Sequence, residues 1–180
     1  MIATAHVTAG MIAGVVALRA RGDVLRVATA FGLGVLSHVL LDTIPHSDYG
    51  QLARWTILII VSVELLLTFA LGWYLLRPLR LRGLHLTLPA GVAGGAIPDA
   101  KFAGQWLPAP AASWVRDVGD RFHSFFHVDP TPIAVGLAAE LTCALILIAG
   151  LWAIARRYDP DQNQGFDPGW VERRAQDSTL

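Results

Sequence analysis

The sequence predicts an all-α integral membrane protein, a compact bundle of about five transmembrane helices with a helical outer loop. Hydrophobic residues make up 54% of the 180 residues and charged residues only 16%, whereas soluble domains are about 45–50% apolar. The mean hydropathy is +0.49. The apolar residues are gathered in separate runs that are suited to crossing a bilayer as helices. Composition and segmentation therefore favour the same fold class.

Five apolar segments are the predicted helices. They lie at residues 2–18, 27–44, 57–76, 84–98 and 133–155. The third and fifth are strongly apolar, whereas the fourth is short, rich in glycine and broken by Pro89. Because small residues let helix backbones approach closely, the fourth segment is expected to pack inside the bundle. Residues 1–157 then form one transmembrane helical domain with an outer loop at 99–132, and the polar residues 158–180 form a disordered cytoplasmic tail.

Arginine positions predict the orientation of the bundle. Clusters follow the first, third and fifth segments, and they comprise Arg19, Arg21, Arg26, Arg77, Arg80, Arg82, Arg156 and Arg157. Basic residues concentrate in cytoplasmic loops, so the N-terminus is expected outside and the C-terminus in the cytoplasm. The formal net charge is zero, from 14 basic and 14 acidic residues, and it provides no general attraction to nucleic acid. The single cysteine, Cys143, excludes an intrachain disulfide.

The stretch SHVLLDTIPH places three metal-binding side chains on one helical stripe within an apolar region. His38, Asp42 and His46 are spaced four residues apart, which puts them on the same helix face. With a rise of about 1.5 Å per residue, His38 is expected about 9 Å below the outer end of its segment. Glu64 and Glu140 each lie seven residues inside their segments, about 10 Å deep. These groups are therefore expected at one level near the outer surface.

Further histidines and acids are expected at the same end. His6 lies near the start of the first segment, and Asp99 closes the fourth. The outer-loop stretch DRFHSFFH adds Asp120, His123 and His127, which share one face if the stretch is helical. The predicted metal ligands are His6, His38, Asp42, His46, Glu64, Asp99, His123, His127 and Glu140.

A divalent cation would explain why these groups converge. A carboxylate in hydrocarbon costs about 2.5 kcal/mol or more unless a positive charge compensates it. Imidazole and carboxylate together suit zinc first, with manganese or iron as alternatives, and the number of groups allows one or two ions. Each residue alone has a simpler interpretation: a lone histidine is more often an interfacial side chain, the role assigned to His85, and Glu64 or Glu140 could hydrogen-bond a neighbouring helix. Convergence at one level favours the metal site.

Four short motifs resemble segments of the bacterial membrane-bound metal-dependent hydrolases. GLGVLSHVLLD resembles that family's Gly-x-Leu-Ser-His-x-x-x-Asp segment, and AHVTAG, GGAIPDA and FHSFFH are similar to its N-terminal histidine, Pro-Asp and paired-histidine segments. The motifs stand in a different order here. The resemblance implies a helical protein of the bacterial cytoplasmic membrane with hydrolytic activity, whose metal would be held by His6, His38, Asp42, Asp99, His123 and His127.

Three functions are compatible with these patterns, and the first is favoured. It is a metal-dependent hydrolase that acts on a lipid-borne ester or phosphate at the outer leaflet, where Asp48 or Asp120 transfers the proton. The second is a redox subunit that binds haem or a quinone between histidines. The third is a divalent-metal transporter or a structural membrane subunit, for which polar groups should continue toward the cytoplasm. A membrane lipid or lipid-linked substrate is the expected partner, and no protein partner is indicated.

Reporter fusions test the predicted orientation. Fusions after Arg82 and after Leu180 are expected to behave as cytoplasmic, and a fusion after Trp114 as exported. The reason is that the arginine clusters keep the loops after the first and third segments, and the tail after the fifth, in the cytoplasm. Paired reporters that are active only outside or only inside the membrane measure this directly. The reverse pattern would place the histidine-rich end of the bundle in the cytoplasm.

Overall fold

The described part of the computed structural model forms five α-helices and contains no β-strand. It comprises residues 3–44, 54–77, 79, 81–99, 113, 117 and 132–157. In chain order the helices are α1 (Ala3–Val16), α2 (Asp23–Asp42), α3 (Arg54–Leu76), α4 (Leu84–Ala96) and α5 (Ile133–Arg157). Two short 3-10 turns, Ala17–Arg19 and Ile97–Asp99, continue α1 and α4. The all-helical fold class predicted from the sequence is confirmed over these ranges.

Each predicted apolar segment contains one helix, and the start of α2 differs most from the prediction. α2 begins at Asp23, four residues before the predicted segment. Gly22 precedes it with a φ of 86°. Arg26 donates through Nε to the Ala20 carbonyl oxygen at 3.0 Å, and its Nη1 lies 3.2 Å from Asp23 Oδ1. The prediction followed apolar residues alone, so it left out this charged first turn.

The helices differ in their capacity to cross a membrane. Three are long and apolar enough, over the ranges Asp23–Asp42, Leu58–Leu76 and Ala134–Arg157. The remaining two are shorter: α1 with its 3-10 turn covers Ala3–Arg19, and α4 has 13 residues. Of the predicted outer loop 99–132, the described positions are Asp99, Ser113, Asp117 and Pro132, of which Ser113 and Asp117 are α-helical.

Pro89 lies inside α4 without ending it, so the expectation that it breaks the fourth segment was wrong. Proline removes one backbone hydrogen bond and normally disfavours a helix interior. Here Pro89 is the sixth residue of α4, beyond the first turn. Contacts of α4 with both α1 and α2 along its length offset that loss.

Glycines allow α4 to lie between α1 and α2 with very short backbone separations. A Cβ atom added at Gly10 of α1 would lie 2.6 Å from the Gly91 carbonyl oxygen, and one at Gly14 would lie 2.8 Å from the Thr87 carbonyl oxygen. On the other side, a Cβ atom at Gly34 of α2 would collide with the backbone of α4. Since carbon atoms do not approach oxygen this closely without repulsion, these contacts require glycine. The order of the contacts makes α1 antiparallel to α4.

α3 and α5 pack against other parts of α1. The hydroxyl groups of Thr68 on α3 and Thr4 on α1 are hydrogen-bonded at 3.1 Å, and one turn further along α3 Gly72 faces the Met11 side chain. Leu151 of α5 joins Met11 in the main buried apolar cluster. α1 therefore contacts all four other helices and is buried over most of its length.

A methyl group at Gly34 is expected to destabilise the bundle, because the backbone of α4 occupies its space. Gly34→Ala should lower the melting temperature in detergent, since overpacking costs about 1–3 kcal/mol. Gly32 provides the matched control, because it lies in the same helix and an added Cβ would meet nothing within 4 Å. Gly32→Ala should be neutral, or stabilising by up to about 1 kcal/mol through helix propensity. Equal melting temperatures for the two variants would contradict the packing.

Candidate metal centre

Three side chains from α1 and α2 form a buried cluster of potential metal ligands. His6, His38 and Asp42 each offer one ligand atom, and these atoms all lie within 4.8 Å of one another. The three residues are 2%, 1% and 4% exposed, respectively. The cluster therefore lies inside the protein and is not one of the acidic groups common on surfaces.

Helix geometry and glycine contacts together assemble the cluster. His38 and Asp42 occupy the last turn of α2 at i and i+4, so they share one face. His6 lies near the start of α1, where a Cβ atom on Gly95 would be only 2.7 Å from the His6 carbonyl oxygen. The close approach of the α4 end thus draws α1 and α2 together at the level of the two histidines.

The orientation of the His38 ring is determined by a backbone group of α4. His38 Nδ1 lies 2.7 Å from the Gly95 carbonyl oxygen. A carbonyl oxygen only accepts, so Nδ1 carries the hydrogen and donates it. In a neutral imidazole this leaves the lone pair on Nε2, the tautomer that suits a metal ligand.

Asp42 approaches both imidazole rings with its two carboxylate oxygens. Oδ2 lies 3.1 Å from His38 Nε2, and Oδ1 lies 3.4 Å from His6 Nε2. The rings themselves are stacked, with centroids 4.1 Å apart and planes inclined by 29°. Although Asp42 is near, His38 Nε2 forms no hydrogen bond of acceptable geometry among the described residues. Because Nδ1 carries the hydrogen, Nε2 and the Asp42 oxygen each present a lone pair at this separation.

Asp99 adds a second carboxylate and links the cluster to the surface. It ends the 3-10 turn after α4, and its Oδ1 lies 3.9 Å from His38 Nε2. Its side chain is 35% exposed, whereas that of His38 is 1% exposed. Asp99 is therefore the member of the group that water or a ligand reaches most easily.

The charges of this group require compensation. Two carboxylates converge on one imidazole nitrogen in apolar surroundings, and unpaired negative charge there is unfavourable. Either protonated histidines or a bound cation can balance it. Two imidazole nitrogens with carboxylate oxygens form a mixed donor set that fits zinc, manganese or iron. The chemistry of the residues present therefore fits the predicted metal.

Glu64 and Glu140 lie in a second polar region, between α1, α3 and α5. Glu64 accepts a hydrogen bond from the Ala3 backbone N–H at 3.1 Å and interacts electrostatically with Glu140, which is fully buried. Thr4 and His6 are two positions apart in the sequence, and this spacing places their side chains on opposite sides of α1. Neither glutamate belongs to the three-ligand cluster. Their expected role as ligands, or as partners of ligands, stays a prediction.

Several predicted site residues lie outside the described part of the chain. They are the expected ligands His46, His123 and His127 and the expected proton-transfer residues Asp48 and Asp120. Their roles stay predictions. His85, which received no ligand role, is exposed on α4.

Two contacts near the polar groups were not expected from the sequence. The Gly95 carbonyl oxygen orients His38, and Thr68 ties α3 to α1 through Thr4. The glycine pair in GGAIPDA was a visible signal of close packing, but it did not indicate which carbonyl oxygen would face His38.

Comparison with known protein families, with curated proteins and with solved structures found no match to this chain.

Glutamine substitutions separate the two roles open to Glu64 and Glu140. If these carboxylates act on the cation directly or through a histidine, Glu64→Gln and Glu140→Gln should each lower metal affinity about 10-fold or more. If Glu64 only accepts the Ala3 N–H, glutamine retains an acceptor oxygen and affinity should not change. Metal titration beside thermal melts measures both effects. Unchanged affinity in both variants would contradict a role in the metal centre.

Proposed function

We propose that this chain is an integral membrane protein that uses a divalent metal to hydrolyse a lipid-borne ester or phosphate at the outer leaflet. The observation that carries the proposal is the orientation of His38. Its Nδ1 donates to the Gly95 carbonyl oxygen, so its Nε2 faces Asp42 beside the His6 ring. Ligating histidines almost always donate their second N–H in this way.

Exposed apolar side chains support the membrane embedding. α3 and α5 carry a series of large hydrophobic residues on their outward faces, among them Ile59, Leu66, Leu67, Leu145 and Ile146. Such contiguous surface is unfavourable in water and favourable in hydrocarbon. α1, which is shorter, is enclosed by the other helices. In the proposed arrangement all five helices lie in the membrane, with the N-terminus outside.

The position of the cluster along the helices supports a lipid substrate. Asp42 is the last residue of α2, and His38 is one turn before it. The cluster is therefore within about 6 Å of a helix end. In the proposed orientation this is the outer end, where the ester and phosphate groups of membrane lipids lie. A lipid could then present its head group to Asp99 without leaving the bilayer.

In the proposed mechanism, different residues bind the metal and transfer the proton. A cation held by His6, His38 and Asp42 would supply Lewis acidity toward a phosphoryl or acyl oxygen and toward water. Gly95 keeps the Nδ1 hydrogen of His38 engaged, so the ring does not turn. Asp99, near His38 and partly exposed, is positioned to accept a proton at its carboxylate. The surrounding buried residues exclude bulk water from His6 and His38.

The geometry argues against one alternative. Axial histidines of a haem lie on opposite faces of the porphyrin, whereas the rings of His6 and His38 stack directly on each other at 4.1 Å. These two residues therefore do not form a haem site together. A metal transporter or a structural subunit remains the second candidate, because a cation bound at this cluster would stabilise the junction of α1 and α2 without catalysis.

Metal analysis of one variant tests the binding step. His38→Ala should lower the metal content of folded, detergent-purified protein severalfold or more, because it removes a ligand whose ring is already oriented. His85→Ala is the matched control, since His85 is exposed on α4 and no ligand role is proposed for it. Elemental analysis measures the bound metal, and thermal melts verify that both variants are folded. Full occupancy in His38→Ala would contradict the proposed site.

The same two variants test the hydrolytic step. Full-length protein in mixed micelles is incubated with a panel of ester-containing and phosphate-containing lipids, and the products are followed by mass spectrometry. Activity should depend on added metal, should fall more than about 10-fold in His38→Ala and should persist in His85→Ala. Metal binding without turnover of any lipid class would favour the transporter or structural role.

A further inference from the structure

A groove between α1 and α5 lies at the opposite end of the bundle from the metal centre. It is lined by Val15, Val16, Arg19, Ile154 and Arg157 and has a volume of about 260 Å³. Valine and isoleucine form its apolar part, and two arginines form its polar part.

The two arginines come from different elements, and both line the groove. Arg19 closes the 3-10 turn after α1, and Arg157 is the last residue of α5. Arginine at a helix C-terminus is commonly explained by its attraction to the helix dipole. That explanation accounts for each arginine separately. It does not account for two guanidinium groups beside a shared apolar groove.

A neighbouring pair indicates that this end lies at the membrane interface. The Arg156 guanidinium lies over the Trp152 ring, 4.0 Å from its centroid. Tryptophan and arginine are both enriched where a bilayer meets water, at the level of the lipid head groups. Arg157 follows directly in the chain, so the polar end of the groove lies at the same level.

The shape of the groove fits part of an amphiphile. Pockets for whole drug-sized molecules are typically about 300–1,000 Å³, so 260 Å³ holds only a portion of a lipid. Guanidinium groups bind phosphate through paired hydrogen bonds. Val16, which is 40% exposed, and Ile154 provide an apolar wall for the first methylene groups of an acyl chain.

We propose that this groove binds one anionic phospholipid of the cytoplasmic leaflet, with its phosphate between Arg19 and Arg157 and an acyl chain along Val16 and Ile154. The positive charge selects an anionic head group, and the apolar wall selects a lipid over a soluble phosphate. The inference rests on the membrane embedding in the proposed function, and it is independent of the hydrolytic chemistry.

Lipid binding to the full-length protein tests this site. The protein is purified in a nonionic detergent, depleted of lipid and titrated with phosphatidylglycerol or phosphatidylcholine, and retained lipid is counted by native mass spectrometry. Wild-type protein should retain phosphatidylglycerol in preference to phosphatidylcholine. Each of Arg19→Gln and Arg157→Gln should weaken phosphatidylglycerol binding about fivefold. Val16→Trp should weaken it too, because the indole fills the apolar part while both charges remain.

Matched controls distinguish a built site from general surface charge. Arg21→Gln and Arg82→Gln remove exposed arginines of the same predicted side that do not line the groove, and they should leave binding unchanged. Equal losses in control and groove variants, or equal retention of the two lipids by the wild type, would overturn the proposal. Inorganic phosphate that competes as well as the lipid would also overturn it.

Metal content, measured in the same preparations, keeps this proposal separate from the proposed function. Groove variants should retain full metal, and His38→Ala should retain phosphatidylglycerol. A wild-type protein that retains phosphatidylglycerol selectively but shows no metal-dependent hydrolysis would count against the hydrolase alone. A wild-type protein that hydrolyses lipid but does not prefer phosphatidylglycerol would count against the groove alone.

Discussion

Close contact between helix backbones is the constraint on which the rest of this structure depends. α4 has only 13 residues, and glycines on it and on both neighbours let it lie between α1 and α2. At such separations many weak dispersion contacts form along the whole interface. The position of α4 in turn determines where the Gly95 carbonyl oxygen lies, and therefore which nitrogen of His38 is presented to Asp42.

α1 separates two polar regions of different character. On one side, His6 meets Asp42 and His38 across the interface with α2. On the other side, the Ala3 N–H and the Thr4 hydroxyl meet Glu64 and Thr68 of α3. Polar groups are costly in an apolar interior unless they are paired. Each region uses groups from more than one helix, so both regions also specify how the helices fit together.

The sequence predicted the positions of the helices along the chain better than it predicted which sides of them meet. Apolar runs located all five helices, and the i, i+4 spacing correctly placed His38 and Asp42 on one face. The depth of a side chain below the end of its helix can be counted in residues along the chain, and this count predicted that Glu64 lies level with His38. Direction around the helix axis depends on the neighbouring helices, so counting could not reveal that Glu64 contacts the start of α1. The continuity of α4 through Pro89 likewise depends on its neighbours.

His38 and the Gly95 carbonyl oxygen that accepts its hydrogen bond are far apart in the chain, so they are synthesised at different times. His6, His38 and Asp42 all belong to the first 42 residues, whereas Gly95 lies 57 residues after His38. The three candidate ligands are therefore synthesised before the residue whose carbonyl oxygen orients His38. A nascent chain that ends before α4 carries both imidazoles but lacks the carbonyl oxygen that accepts from His38 Nδ1. The arrangement of the three side chains therefore requires α4, the short helix that carries Gly95.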